Sequence, residues 1–290
     1  MKAGPWRFLL YIVLPQPAKM AFLPDELRGQ LDRINLAGNV GMYSGSGATA
    51  YDATHRYAEA EHHEYPAQPL VEDVWPGLGY GRALELGAGS GYFTRLIARR
   101  ADTVTAVEPV PDMQRVLREG CEEHGIRNVE ILEASAAELP DHLPAHSVDS
   151  ALVIQSLHHM HRRPEVFEAL GRVMRPGGRL LMVEPHHNLR RIVRLARKWL
   201  KYYRAREYWS REINWGTHDF LTCGEIRGLC RDGGFERPRI TGYWFPYTSR
   251  LVPDPARRLR LESRLGRIPG LRHMAGVLAI ETRRRGPAPP

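Results

Sequence analysis

Leu84-Glu85-Leu86-Gly87-Ala88-Gly89-Ser90-Gly91-Tyr92 reads as an apolar strand that enters a glycine-rich turn and leaves it as a helix, since Tyr92 to Arg99 is amphipathic. Glycines at such a turn let backbone amides come close to a ligand at the carboxyl edge of a sheet. The spacing narrows the ligand. A dinucleotide fingerprint reads G-x-G-x-x-G, whereas Gly87, Gly89 and Gly91 read G-x-G-x-G, with an acid, Glu85, two residues before the first glycine.

Outward from this turn, short apolar runs alternate with amphipathic ones. They are Ala83 to Leu86, Tyr92 to Arg99, Val104 to Val107, Asp112 to His124, Val129 to Leu132, Val148 to Ile154, Glu165 to Met174 and Leu180 to Val183. Strands alternating with helices give a parallel sheet covered on both faces. The expected fold is therefore α/β, a doubly wound, mostly parallel, seven-stranded sheet of Rossmann-like type. Arg175-Pro176-Gly177-Gly178 and Gly233-Gly234 mark turns ahead of further strands, and the last strand is expected at Ala275 to Thr282.

The sheet domain is expected over residues 81–185 and 219–283, with three additions. Residues 1–80 read as an N-terminal helical lid, in which Phe22 to Leu36 has helical spacing and Gly38 to Ala50 reads as a loop or mobile lid. Residues 186–218 read as an inserted aromatic, basic cap, and 284–290 as a disordered tail. The first residues allow three readings. Lys2 and Arg7 ahead of the apolar run Phe8 to Leu14 mimic a signal peptide; the same run suits a segment covering a binding face; or it precedes a start at Met20.

With these elements in order, the chain resembles the class I S-adenosylmethionine-dependent methyltransferases, in their small-molecule branch, over roughly Arg82 to Phe245. The first motif of that family is acid-x-G-x-G-x-G, and the resemblance assigns Glu85, Gly87, Ala88, Gly89, Ser90 and Gly91 to S-adenosyl-L-methionine. Its second element is an acid ending the next strand. Here that is Glu108 in Thr105-Ala106-Val107-Glu108-Pro109, 17 residues past Gly91, where a carboxylate accepts both ribose hydroxyls. Pro109 follows it, and Met113 is expected against the adenine. Glu133-Ala134-Ser135-Ala136 stands where the family has Gly-Asp-Ala, so Ser135 replaces an aspartate, and the Ser135 hydroxyl or the Ala136 amide takes over adenine recognition. Gln155-Ser156-Leu157-His158-His159 matches the element after the fourth strand and adds Gln155 to the cofactor site. No metal is implied.

A sulfonium already carries a good leaving group, so a protein contributes alignment, exclusion of water and removal of a proton. Proton acceptors are expected at strand ends. Glu184 ends the fifth strand, His187 follows it, and His158 follows the fourth. His159 and His161 read as surface residues or partners of backbone carbonyls. Tyr51 and Tyr57 read as lid residues closing over the cofactor. Cys121, Cys223 and Cys230, an odd number without a CxxC pair, read as packing thiols in a reducing cytoplasm.

The 290 residues carry 41 basic and 33 acidic side chains for a net charge of +8, with only four lysines among the bases, a skew that suits a GC-rich genome. Charge is uneven. Residues 190–211 hold nine bases and one acid, residues 250–285 ten bases and three acids, and the remainder is net negative. Leu189, Ile192, Val193, Ala196, Trp199, Leu200 and Tyr203 form a helical apolar stripe opposite Arg190, Arg194, Arg197 and Lys201. No run of 18 apolar residues exists, so no membrane-crossing helix is expected. The expected partners are a small-molecule acceptor and an anionic membrane or lipid touched by the basic cap helix; nucleic acid is not the expected partner, and an oligomer is left open. The expected activity is methyl transfer to a small, partly apolar metabolite, with an anionic isoprenoid or lipid phosphate among the options and the acceptor atom, O, N or C, open. Rival readings are an RNA or protein methyltransferase, and a cofactor-binding pseudo-enzyme that regulates a partner, for which Ser135 is the motive.

Overall fold

The computed structural model describes residues 9–10, 13–22, 37–57, 66–75, 79–202 and 219–286. Seven strands make one sheet in the order β3-β2-β1-β4-β5-β7-β6. They are β1 (Gly81–Leu86), β2 (Ala101–Val107), β3 (Val129–Leu132), β4 (Val148–Ile154), β5 (Met174–Pro185), β6 (Arg239–Tyr243) and β7 (Val277–Arg283). β1 to β5 are parallel, and β7 lies antiparallel between β5 and β6. The α/β, doubly wound, mostly parallel reading of the sequence describes this sheet.

The helices used below are α1 (Gln16–Phe22), α2 (Ser46–Tyr57), α3 (Tyr92–Ala98) and α4 (Pro111–Glu123). They continue with α5 (Arg163–Val173), α6 (Leu189–Tyr202), α7 (Cys223–Asp232) and α8 (Pro255–Leu265). Alternation along the central strands splits the core into two layers. Leu84, Leu86, Ala151, Val153, Leu180 and Met182 face α5 and α7, while Ala83, Leu152, Ile154, Leu181 and Val183 face α3 and residues 67–75. Strands covered on both faces must be apolar at nearly every position, which is why they read as continuous runs.

Three local readings change. Gly38 to Ala50 is no loop: residues 37–43 and α2 are helical, broken only at Ser44 and Gly45. Its small residues permit close packing rather than flexibility. A Cβ on Gly47 would sit 2.2 Å from the Met42 carbonyl oxygen, and Ala48 is buried against Val110, Met113 and Val116 of the α4 region. Second, residues 284–286 of the expected disordered tail are held against the sheet domain, and 287–290 lie outside the described residues. The Arg284 guanidinium donates to the Gly171 and Gly234 carbonyls, each at 2.7 Å, and the Arg285 amide donates to Gly234. Third, the apolar stripe of α6 is only partly covered: Trp199 is buried together with Leu195, which lies outside the stripe, while Leu189, Val193 and Leu200 are exposed. Residues 23–36, 58–65 and 203–218, which hold much of the expected lid and cap, lie outside the described residues.

Buried charges join the additions to the sheet. Lys19 of α1 pairs with Asp219 at 2.5 Å, both nearly inaccessible. Burial alone would raise the Asp219 carboxyl, yet Lys19 and Arg163 outweigh it and hold the carboxyl below its usual range. Arg163, wholly buried at the start of α5, donates to Glu225 of α7, to the Asp219 carbonyl, and through Nε to the carbonyls of Leu157 (3.2 Å) and Met160 (3.0 Å). Removing it leaves a buried carboxylate and three carbonyls short of a donor. Arg163→Met is expected to cost about 3–5 kcal/mol in urea unfolding, whereas Arg115→Ala, which breaks an exposed pair with Glu119 on α4, should change stability by less than about 0.5 kcal/mol.

Candidate active site

The loop between β1 and α3 is held by its neighbours on the sheet. The amides of Gly87 and Ala88 donate to the Val107 carbonyl at 2.9 and 3.1 Å, and the Gly89 amide donates to Glu108 Oε2 at 2.8 Å. Gly87 takes φ +69, and a Cβ there would lie 2.6 Å from Ser156 Cβ, so only glycine fits both the dihedral and the space. Ser156 is fixed in turn by donating Oγ to the Leu86 carbonyl at 2.6 Å.

Glu108 is buried, and its Oε1 accepts from the Val110 amide at 3.0 Å. Burial pushes its carboxyl up, and the Gly89 and Val110 amides pull it back toward the charged form. Glu85 lies deeper, with Oε2 accepting from Thr94 Oγ1 of α3 at 2.6 Å; burial raises its carboxyl to about 8.

A cavity of about 380 Å³ opens at this carboxyl edge. Gly87 and Gly89 form one wall, with Val107, Glu108, Pro109, Val110 and Met113 beside them. Ala134 to Glu138 form the next wall, and Gln155, Ser156, His159, Met160, His161, Arg162 and Val166 the far side. The roof is Asn39, Val40, Tyr43 and Tyr51. Tyr43 meets Tyr51 edge to face at 5.3 Å and the His159 ring at 6.0 Å, and Asn39 Nδ2 donates to the His159 carbonyl at 3.3 Å. Gln155 holds φ +51 while donating its amide to Val183 at 2.8 Å, a backbone strain of the sort that collects at sites. A more open hollow of about 500 Å³ at the opposite edge, between Pro140 and Arg284, shares none of these residues.

Of the residues assigned to the cofactor from sequence, Gly87, Gly89, Glu108, Pro109, Met113, Ser135, Ala136 and Gln155 line the cavity. Glu85, Ala88, Ser90 and Gly91 stand behind the wall. Glu85 ties β1 to α3, Ala88 packs with Ala106 and Leu117, the Ser90 carbonyl lies 3.3 Å from Arg95 Nη1, and Gly91 donates to Ala88. Tyr51 lines the roof, and the side chain of Tyr57 lies outside the described residues.

The three expected proton acceptors do not reach the wall. Glu184 is fully buried, accepts the amides of Ser156 (2.9 Å), Leu157 (2.8 Å) and His158 (3.3 Å), and lies 2.8 Å from His158 Nδ1. It shapes the turn after β4 instead. Burial raises its carboxyl to about 7 against these amides. His158 is spent on that contact and lies tilted against His159, with ring centroids 4.2 Å apart. His187 Nε2 lies 2.8 Å from the Val13 carbonyl, fastening the N-terminal segment. The sequence reading missed Asn39, Val40, Tyr43, Glu138, His159, His161 and Arg162; the i, i+4 spacing of Asn39 and Tyr43 was the one usable signal. Among the described residues no cluster of His, Cys, Asp or Glu is placed to hold a metal.

The residues fit S-adenosylmethionine. A cradle of glycine backbone adjoins a carboxylate at the end of β2 and an apolar Met113. Where the usual aspartate is replaced by Ser135, the same wall carries the Glu138 carboxylate, which accepts the Ser135 amide at 3.2 Å.

Residues 84–182 match the family model for the methyltransferase domain. An uncharacterized methyltransferase of Mycobacterium tuberculosis is 40% identical over 102 residues, 35% of this chain, and the chain spans 39% of that relative's length. A ubiquinone biosynthesis O-methyltransferase of Xanthomonas euvesicatoria is 27% identical over 64% of this chain and 73% of its own. The crystal structure of an S-adenosylmethionine-dependent methyltransferase from Mesorhizobium loti superposes with a TM-score of 0.52 at 19% identity, covering 74% of this chain and 96% of that one.

The raised Glu85 carboxyl gives a testable pH signature. Its folded value of about 8 stands above the ordinary 4.5, so its stabilising contribution is complete below pH 4.5 and is lost as pH rises through about 8. Glu85→Gln keeps an acceptor for Thr94 without that charge. Urea unfolding should show the variant gaining on the unmutated protein across this interval, by on the order of a few kcal/mol at its upper end.

Proposed function

Because the chain carries a class I S-adenosylmethionine-dependent methyltransferase domain, we propose that it transfers a methyl group to a hydroxyl of a small, partly apolar acceptor. The observation that carries this reading is the single cavity shared by the glycine loop, Glu108 and a far wall of Gln155, Met160 and two histidines, His159 and His161. The cofactor supplies a methyl group on a sulfonium whose thioether leaves without acid help. Gly89 and Glu108 hold the cofactor's polar parts, Met113 and Val110 its flat apolar part, and Tyr43 and Tyr51 exclude water from above.

A hydroxyl acceptor must lose a proton, and His159 is the imidazole on the wall best supported to take it. Its ring packs at a tilt against His158, whose own Nδ1 is held by Glu184, and it meets Tyr43 edge to face. His158 and Glu184 act as positioning residues in this reading. Arg162, at the rim, offers a cation to an acceptor that carries an acidic group. The Xanthomonas relative, named for O-methyl transfer in ubiquinone biosynthesis, supports a hydroxyl-bearing aromatic as the first class to try.

Tritiated methyl transfer from S-adenosylmethionine to a panel of phenols and quinols tests the proposal. His159→Gln is expected to lower kcat by roughly 10²–10⁴-fold with the affinity for S-adenosylmethionine kept within about threefold. Unchanged turnover in this variant would remove His159 from the reaction, and failure of the unmutated protein to bind the cofactor would remove methyl transfer altogether.

A further inference from the structure

We propose that this chain docks on an anionic lipid bilayer through an aromatic tip after β6, carried by an arginine-rich segment and placed beside the start of α6. Docking requires no methyl transfer, so the inference stands apart from the activity proposed above.

The tip is built under strain. Trp244 and Tyr247 hold φ +60 and +64, two of four non-glycine residues in the left-handed region among those described. Bulky side chains avoid that region unless their surroundings impose it. Glu262 of α8 imposes it here. Its inaccessible carboxylate accepts the amides of Trp244 (2.8 Å) and Phe245 (3.2 Å) and the Thr248 hydroxyl. A buried acid thus holds the turn so that its apolar side chains point out of the protein: Trp244 is 49% exposed, Tyr247 70% and Leu251 78%.

The tip has apolar neighbours. The Trp244 carbonyl accepts from Gly276 at 3.1 Å, next to Met274, which with Leu271 and Ile268 is exposed. Asn188 Nδ2 donates to Ala275 at 2.6 Å, and this brings in the exposed Leu189 that opens α6. A soluble surface scatters such residues singly; gathered together they mark an interaction site.

Charge identifies the occupant. Arg250 is exposed on the tip segment itself, Arg257, Arg260 and Arg264 are exposed along the outer face of α8, the helix whose Glu262 holds the tip, Arg267 is exposed just past its end, and Arg190 and Arg194 are exposed on α6. The one exposed acid between Trp244 and Met274 is Asp254, whose Oδ1 is engaged by the Arg257 amide at 2.6 Å. Protruding Trp, Tyr and Leu on a segment whose exposed charges are almost all arginines suit the boundary between acyl chains and anionic headgroups. No described helix is long and apolar enough to cross a membrane, so this contact lies on the bilayer. β6 is parallel to β5 through the antiparallel β7, which puts the tip on the same carboxyl edge as the cavity.

The test is cosedimentation of the full chain with vesicles of equimolar phosphatidylglycerol and phosphatidylcholine, alongside vesicles of phosphatidylcholine alone. Binding is expected to the anionic vesicles, to weaken as salt is added, and to fall about tenfold in Tyr247→Ser with Leu251→Ser and again in Arg257→Glu with Arg260→Glu. Each double variant should bind S-adenosylmethionine as the unmutated protein does, which shows that it is folded. No binding, equal binding to both vesicle types, or full binding by the serine variant would overturn the proposal. So would a dimer in sedimentation velocity that the serine variant splits, because the patch would then belong to a second copy of the chain.

Discussion

The carboxylate of Glu108 joins the two loops on which the site depends. One oxygen takes the Gly89 amide from the loop after β1, and the other takes the Val110 amide at the start of α4. A buried carboxylate is costly unless donors surround it, so the two loops and the acid stabilise one another's positions. The same carboxylate faces a cavity whose opposite walls come from β3, β4 and the N-terminal helices. The ordering of that edge is therefore a property of the fold before any ligand arrives.

A second buried acid, Glu184 near the end of β5, acts in the same way. It gathers three consecutive amides and the His158 ring, and this fixes the turn that carries His159 to the cavity. Farther out, Lys19 with Asp219 and Arg163 with Glu225 anchor α1 and α7 to the same edge. Acids with donors packed around them thus set the geometry of three successive loops, while the apolar layers beneath supply the rigidity. Glu262 repeats the device at the tip after β6.

What could be read from the sequence was local. A strand, a glycine turn and a helix are contiguous, so the fold class and the loop followed from spacing, and the family resemblance added Glu108. Contacts between distant segments were not legible. Lys19 meets an acid 200 residues away, and nothing near either residue announces the pair. Gly38 to Ala50 read as a loop because glycine and alanine serve flexibility and close packing equally well, and only the partner, here α4, separates the two uses. Adjacent histidines posed the same difficulty. Which of His158 and His159 faces the cavity depends on a single turn of 3₁₀ helix over Leu157–His159, which strand periodicity does not reveal. Glu184 read as a base from its place at a strand end, yet its oxygens are occupied by backbone.

The most direct measurement is calorimetric titration of S-adenosylmethionine into the unmutated protein and into Glu108→Ala. If Glu108 and the glycine loop form the cofactor site, the unmutated protein binds and the variant binds weaker by on the order of a hundredfold, the loss expected when hydrogen bonds to a charged acceptor disappear. Equal affinity in the two proteins would place the cofactor elsewhere and contradict the assignment of this cavity.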